Sequence, residues 1–332
     1  MRIATTVALS LALTSLLTAQ DPPKRPQTYD ESADANQLFA EACAKAQRDN
    51  KRVLLMFGGN WCGWCHKLHD LFERDRAIAT VLRNEYEIVL VDIGRGDKHT
   101  DLTAKVEAPH KENGYPFLTV TDAQGKPVTQ QETGALEDGP NHDPAKVLAF
   151  LEKWKPAPLD ARQVLADGKA AAKESGRTLF VHLGAPWCGW CHRLEDFLAE
   201  PKVAAIVAKD FVDLKIDQDR MTNGKEVAAE LREGARGGIP WSVLLGPDGE
   251  RRITSDSPGG NIGYPVQPEE IAHFMKMVET VRESMTDEDI AYLKQRLDER
   301  AAEILDARKK AAEERAKREA ETAAKKGAVG GG

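Results

Sequence analysis

Two stretches of this sequence place a pair of cysteines where a helix is about to begin. Arg52 to Leu71 reads RVLLMFGGNWCGWCHKLHDL, and Thr178 to Phe197 reads TLFVHLGAPWCGWCHRLEDF. Each is an apolar strand (Val53 to Phe57; Leu179 to Leu183), a short turn, then Trp-Cys-Gly-Trp-Cys-His opening an amphipathic helix. A helix N-terminus carries partial positive charge and unpaired N–H groups, so it favours a thiolate over a thiol. The first cysteine's pKa is thereby drawn into the range of roughly 3.5–7.5, which makes it nucleophilic near neutral pH. The second cysteine lies one turn on and can close a disulfide with the first. The chemistry expected is thiol–disulfide exchange at two centres, Cys62/Cys65 and Cys188/Cys191.

The elements around the two motifs repeat. In the first half a helix over Asn36 to Arg48, a polar turn and the strand lead to the motif. After it come a helix near Ile78 to Leu82, a strand from Glu87 to Ile93 and a long polar stretch, Gly94 to Asn113, with a helix near Asp101 to Val106. Gly114-Tyr115-Pro116-Phe117 then opens a strand, Asp122 to Gly125 turns a hairpin, and Asp143 to Trp154 is a closing helix. Beyond the stiff linker Lys155-Pro156-Ala157-Pro158 the same order returns. It runs through a helix from Ala161 to Lys173, the motif, a strand from Val212 to Asp217 and a helix from Glu226 to Arg232. A strand opened by Gly238-Ile239-Pro240-Trp241 and a closing helix from Glu269 to Val281 complete it. The motifs stand 126 residues apart and the two strand-opening prolines 124, a register that means duplication. The expected division is 34–155 and 160–282 as two domains with 156–159 between them. A polar, Pro-rich lead-in at 20–33 precedes them, with little reason to fold, and a charged helical tail at 283–332 follows. The tail carries a short apolar stripe, Ile290, Leu293, Leu297 and Ile304, which gives weak self-association as its functional expectation.

With 332 residues the chain has room for two ordinary domains, and its net charge of -7 without a basic cluster argues against nucleic acid as a partner. Met1-Arg2, an apolar run from Ile3 to Leu17 and Thr18-Ala19-Gln20 predict a secretory leader cut near Ala19. Export places the protein in the periplasm or outside the cell, with an uncleaved N-terminal anchor as the alternative. The thiols would then work in an oxidising compartment. Four of the five cysteines form the two pairs; Cys43, on the first helix, reads as a small packed thiol.

Strand, Trp-Cys-x-x-Cys, helix, and later a proline-opened strand resemble the thioredoxin superfamily, over most of 34–155 and 160–282. The resemblance implies an α/β fold: two tandem thioredoxin-like domains, each a central mixed sheet flanked by helices. Trp-Cys-Gly-Trp-Cys-His is most similar to exported bacterial members of that superfamily. It also implies that Pro116 and Pro240 are cis and lie against the cysteine pairs, where the backbone beside them, with Tyr115 and Ile239, binds a client peptide. Trp61 and Trp187 would collar the thiolate, and Trp64 and Trp190 would meet the client at the helix start. The partners implied are proteins carrying disulfides and a separate thiol–disulfide redox partner; no cofactor and no metal is expected. One departure matters. Thioredoxin keeps a buried carboxylate six residues before the first cysteine, where this chain has Met56 and His182. Met56 cannot move a proton; His182 can, since imidazole titrates near neutrality.

Three other readings compete. Cys-x-x-Cys-His also fits covalent c-type haem attachment, and a cysteine pair with His66 or His192 could begin a zinc site. The strand before each motif and the proline-opened strand after it weigh against both. The third is a binding or scaffold protein whose disulfides stay oxidised.

Overall fold

A strand with no polar alternation can be stable only where both faces are covered, and such a strand leads to each motif. The computed structural model describes residues 27–329. The leader expected at 1–19 and the first part of the lead-in lie outside the described residues. Among the described residues no helix is long and apolar enough to cross a membrane.

Domain one runs α1 (Ala35–Asp49), β1 (Arg52–Gly58), α2 (Gly63–Arg74), α3 (Arg76–Glu85), β2 (Tyr86–Asp92), α4 (Thr100–Lys105), α5 (His110–Asn113), β3 (Phe117–Thr121) and β4 (Pro127–Glu132). A two-residue ribbon, β5 (Glu137–Asp138) with β6 (Asn141–His142), and α6 (Pro144–Trp154) close it. The sheet order is β2-β1-β3-β4, with β1 parallel to β2 and antiparallel to β3. The long polar stretch after β2 thus holds two short helices where one was expected. Phe39 and Ala46 of α1 cover one face of β1, and Leu68, Phe72, Ile78 and Leu151 of α2, α3 and α6 cover the other. Helix starts are set locally: Asp34, Asp75 and Asp143 each accept two backbone N–H groups of the turn that follows.

Domain two repeats this as α7 (Ala161–Ser175), β7 (Thr178–Gly184), α8 (Gly189–Leu198), α9 (Pro201–Asp210), β8 (Phe211–Asp217), α10 (Gly224–Leu231), β9 (Trp241–Leu245) and β10 (Arg251–Thr254). A ribbon, β11 (Asp256–Ser257) with β12 (Gly260–Asn261), and α11 (Pro268–Thr280) follow. Its sheet order, β10-β9-β7-β8, again puts the motif strand inside. The domains meet at the end of α1. Arg220 donates to the carbonyls of Asp49 (2.6 Å) and Asn50 (2.9 Å) and grips Glu85 at 2.8 Å, while Lys215 reaches Asp49 at 2.8 Å.

Two expectations about the flanks are corrected. The last part of the lead-in is folded: Tyr29 is 2% exposed and belongs to the core between β1 and α2. The charged tail is a helix, α12 (Asp287–Val329), but its apolar stripe is not free for self-association. Leu293, Leu297, Ala301 and Ile304 are buried in the core of domain two. The turn that brings the helix there is tied by Asp210, whose carboxylate accepts from the N–H groups of Glu283, Ser284 and Met285 at 2.7–3.0 Å. Cutting a fully buried leucine back to alanine removes transfer energy and leaves a cavity. Leu297→Ala is therefore expected to destabilise domain two by about 2–5 kcal/mol in chemical denaturation. A residue on a solvated tail would change stability by no more than about 0.5 kcal/mol.

Candidate active sites

Each motif strand ends in a glycine, and the chain turns so that the first cysteine becomes the N-cap of the next helix. Cys62 and Cys65 are joined in a disulfide with Cα atoms 5.3 Å apart, and the Cys65 N–H points at Cys62 Sγ from 3.1 Å. Cys62 keeps a small opening to solvent (6% exposed) whereas Cys65 has none. The exposed Trp61 donates its indole N–H to the Gly94 carbonyl and meets the Tyr115 ring edge-on at 5.5 Å. Tyr115–Pro116 is a cis peptide, and the Tyr115 hydroxyl is 3.0 Å from His110 Nδ1. Trp64 is only half exposed, because His142 packs edge-on to it at 5.2 Å and Lys67 lies over its face.

The second centre has the same frame. Cys188 and Cys191 form a disulfide with Cα atoms 5.2 Å apart, and the Cys191 N–H points at Cys188 Sγ from 3.1 Å. Ile239–Pro240 is cis, and the Ile239 carbonyl oxygen is 3.6 Å from Cys188 Sγ. The proline turn therefore faces the more exposed sulfur of the pair. Trp187, the more exposed of the collar tryptophans, is tethered to Asp219 at 2.6 Å. Trp190 stacks on Tyr264, and the guanidinium groups of Arg193 and Arg308 lie 5.4 and 4.9 Å from its ring centre. Arg308 comes from α12, so that helix walls one side of a groove of about 300 Å³ running along Ile239, Pro240, Gly263 and Tyr264.

The same frame occurs in known proteins. Residues 34–123 and 160–247, more than half of the chain, match the family described as thioredoxin-like. The chain belongs to the thioredoxin-like family. Over 124 residues it is 27% identical to the disulfide bond reductase DsbH of Chlamydia pneumoniae, covering 36% of this chain and 69% of that one. Over 210 residues it is 25% identical to protein disulfide-isomerase 1 of Dictyostelium discoideum, covering 61% of this chain and 54% of that one. Over 102 residues it is 29% identical to an uncharacterized protein of Caenorhabditis elegans, B0495.5, covering 28% of this chain and 14% of that one. The chain thus spans about half, or much less, of the length of these last two relatives. A disulphide isomerase structure from Xylella fastidiosa Temecula1 aligns with a TM-score of 0.35 and 27% identity, over 39% of this chain and 96% of that one.

The two thioredoxin-like domains differ in what surrounds the buried sulfur. Beneath α2 the strand positions Met56 and Leu90 are paired and apolar. At the matching register beneath α8 stand His182 and Lys215. His182 is buried, with Nε2 3.2 Å from Asp213 Oδ1. Lys215 joins Glu195 at 2.8 Å, and Glu195 also meets His192 Nδ1 at 3.4 Å. Glu195 is 3% exposed and lies one helical turn beyond Cys191. A Cβ built on Gly184 would touch both the carboxylate (3.5 Å) and Cys191 Sγ (3.7 Å). A buried carboxylate therefore does stand beside the second centre, delivered by the helix instead of the strand. Glu195 is not among the residues expected from the motif, although its spacing of four from Cys191 is a signal for it. His66 and His192 also have defined places. Nε2 of each faces a backbone carbonyl (Asn60 and Pro186) at 2.9 Å, and Nδ1 faces Thr28 in one domain and Glu195 in the other. Neither ring keeps a nitrogen free to ligate haem iron or zinc.

Both ring nitrogens of His192 face acceptors, which favours the doubly protonated ring, and the hydrogen bond to Glu195 raises its pKa. Burial would lift the Glu195 pKa, but His192 and Lys215 outweigh it and pull the carboxyl down to about 2. A lowered carboxylate contributes stability above its ordinary value of 4.5, lost as pH falls towards 2. A raised histidine contributes below its ordinary value of 6.5, lost as pH climbs through its folded pKa. The stability difference between the native protein and His192→Ala is therefore expected to be largest between about pH 4.5 and 6.5. It should shrink on both sides in denaturation series run across pH; a difference independent of pH would mean the ring acts by packing alone.

Proposed function

We propose that this chain is an exported protein-disulfide oxidoreductase with two dithiol/disulfide centres. The observation that carries the reading is the pairing, in both domains, of a partly open sulfur at a helix N-terminus with a buried sulfur one turn away. Beside the second pair a proline-turn carbonyl lies 3.6 Å from the open sulfur. The names of the relatives, a disulfide bond reductase and a protein disulfide-isomerase, support the same chemistry. The apolar run after Met1-Arg2 supports export to the periplasm or beyond.

In the reducing direction Cys62 or Cys188, as thiolate, attacks one sulfur of a client disulfide. The client S–S bond breaks and one client sulfur leaves as a thiolate. Cys65 or Cys191, after giving up its proton, attacks the mixed disulfide and expels the second client sulfur. Two electrons pass to the client and the enzyme pair is left oxidised, to be recharged by a separate thiol–disulfide partner. The same steps reversed make an oxidant. Trp61, Trp64, Tyr115 and Pro116 frame the client site in domain one, as Trp187, Trp190, Ile239 and Pro240 do in domain two.

Insulin reduction by the full chain tests this. Cys62→Ser and Cys188→Ser are each expected to remove one centre's share of turnover, and the double variant to fall to the uncatalysed rate. Full turnover in the double variant would sink the enzymatic reading and leave a binding protein with permanently oxidised pairs.

A further inference from the structure

The space over the buried sulfur is filled from different parts of the chain in the two domains. In domain two it holds the carboxylate of Glu195, backed by Lys215. Domain one has His69 at the position of Glu195, a partly exposed ring 3.9 Å from Glu73, and Leu90 at the position of Lys215. Its space is taken instead by the lead-in. A Cβ built on Gly58 would meet Cys65 Sγ and the hydroxyl oxygen of Tyr29, each at 2.5 Å, so the two atoms lie at most twice that far apart. The Tyr29 hydroxyl is buried and has no hydrogen-bond partner among the described residues. Leaving a buried donor unpaired is unfavourable, and its neighbour here is a sulfur that becomes charged during exchange.

The segment is held in register by the motif itself. Asn60, two residues before Cys62, accepts from the Tyr29 N–H and donates to the Tyr29 carbonyl, both at 2.9 Å. Thr28 pairs with His66 Nδ1 at 2.8 Å, and Lys98 donates to the Glu31 carbonyl at 2.8 Å. His66 thus holds the lead-in as His192 holds Glu195. Each motif histidine steadies whatever supplies the polar group beside the buried sulfur.

We propose that Tyr29 is a working part of the first centre, its O–H donating to Cys65 Sγ whenever that sulfur carries negative charge. Burial, with the nearby charge of Asp92, holds the phenol well above its ordinary range, so the hydroxyl keeps its proton while exchange proceeds. When a thiol reduces the pair, its thiolate bonds to Cys62 Sγ, the more accessible sulfur. The Cys62–Cys65 bond breaks, and the electron pair stays on Cys65 Sγ, where the Tyr29 O–H meets it. In the opposite sense, the same bond eases loss of the Cys65 proton before Cys65 attacks a mixed disulfide on Cys62. A hydrogen bond to a charged sulfur is worth enough to change such a rate by about tenfold or more.

The inference rests on the dithiol chemistry proposed above but needs no protein client, so its test uses dithiothreitol on the oxidised full-length protein. Reduction of each pair is followed in one sample by alkylating the freed thiols and analysing the two motif peptides by mass spectrometry. Dithiothreitol supplies the electrons and leaves as its cyclic disulfide. Tyr29→Phe is expected to slow reduction of Cys62–Cys65 by about tenfold or more, with Cys188–Cys191 unchanged as the internal clock. Equal rates for the first pair with and without the hydroxyl, a faster first pair, or equal slowing of both pairs would overturn the role. If neither pair exchanges even in the unaltered protein, the reading of the centres fails with it. A second readout separates donation from packing: in a Cys62→Ser background, adding Tyr29→Phe should raise the Cys65 pKa, read by thiolate absorbance, by about one unit. An unmoved titration overturns the proposal.

Discussion

A sulfur that is charged for part of a reaction and out of water for all of it is hard to accommodate in a protein core. In the exchange proposed above Cys65 and Cys191 would be such sulfurs, at 0% and 1% exposure. Their burial follows from the frame that makes the first cysteine useful. If the helix N-terminus faces solvent, the residue three further on must point back at the sheet. The charge that the first sulfur can share with water and the helix end, the second must share with protein groups. Much of what distinguishes the two domains answers that constraint.

The answers diverge although both domains match one family. Domain two uses a buried ionic cluster: His192 and Lys215 hold Glu195 ionised, and Lys215 also reaches Asp49 of the other domain. That lysine links the domain interface to the surroundings of the second sulfur, so the two halves are not independent modules joined by a strap. Domain one keeps an apolar floor, Met56 and Leu90, and borrows a hydroxyl from the segment that precedes it. The C-terminal helix adds a second asymmetry. Its buried stripe completes the core of domain two, and its Arg308 lies over Trp190 at the mouth of the second groove.

Much of this was legible before any coordinates. Trp-Cys-x-x-Cys after an apolar run announces a strand, a turn and a helix start, because each depends on neighbours within a few residues. Repetition of that string, with a proline at matching distance, announced two copies. The burial of Tyr29 in the lead-in and of the stripe in the helical tail is not legible for one reason: polar and charged residues surround the few apolar ones that matter. Tyr29 stands alone in a Pro-rich stretch, and the stripe from Leu293 to Ile304 is diluted by lysine, arginine and glutamate. Composition averages away single anchoring residues.

The sequence by itself therefore determined the two sulfur pairs, the order of strands and helices that carries them, and the duplication. These are local facts, set by the period of apolar residues and by what a helix end does to a thiol. Apart from Glu195, one turn along the helix from Cys191, only the tertiary structure decided which groups surround the buried sulfurs. Tyr29 and Cys65 are 36 residues apart, Glu195 and Lys215 are 20, and Lys215 and Asp49 are 166. Contacts over such separations are set by how sheet, helices and flanking segments pack together, and no local pattern of residues encodes that.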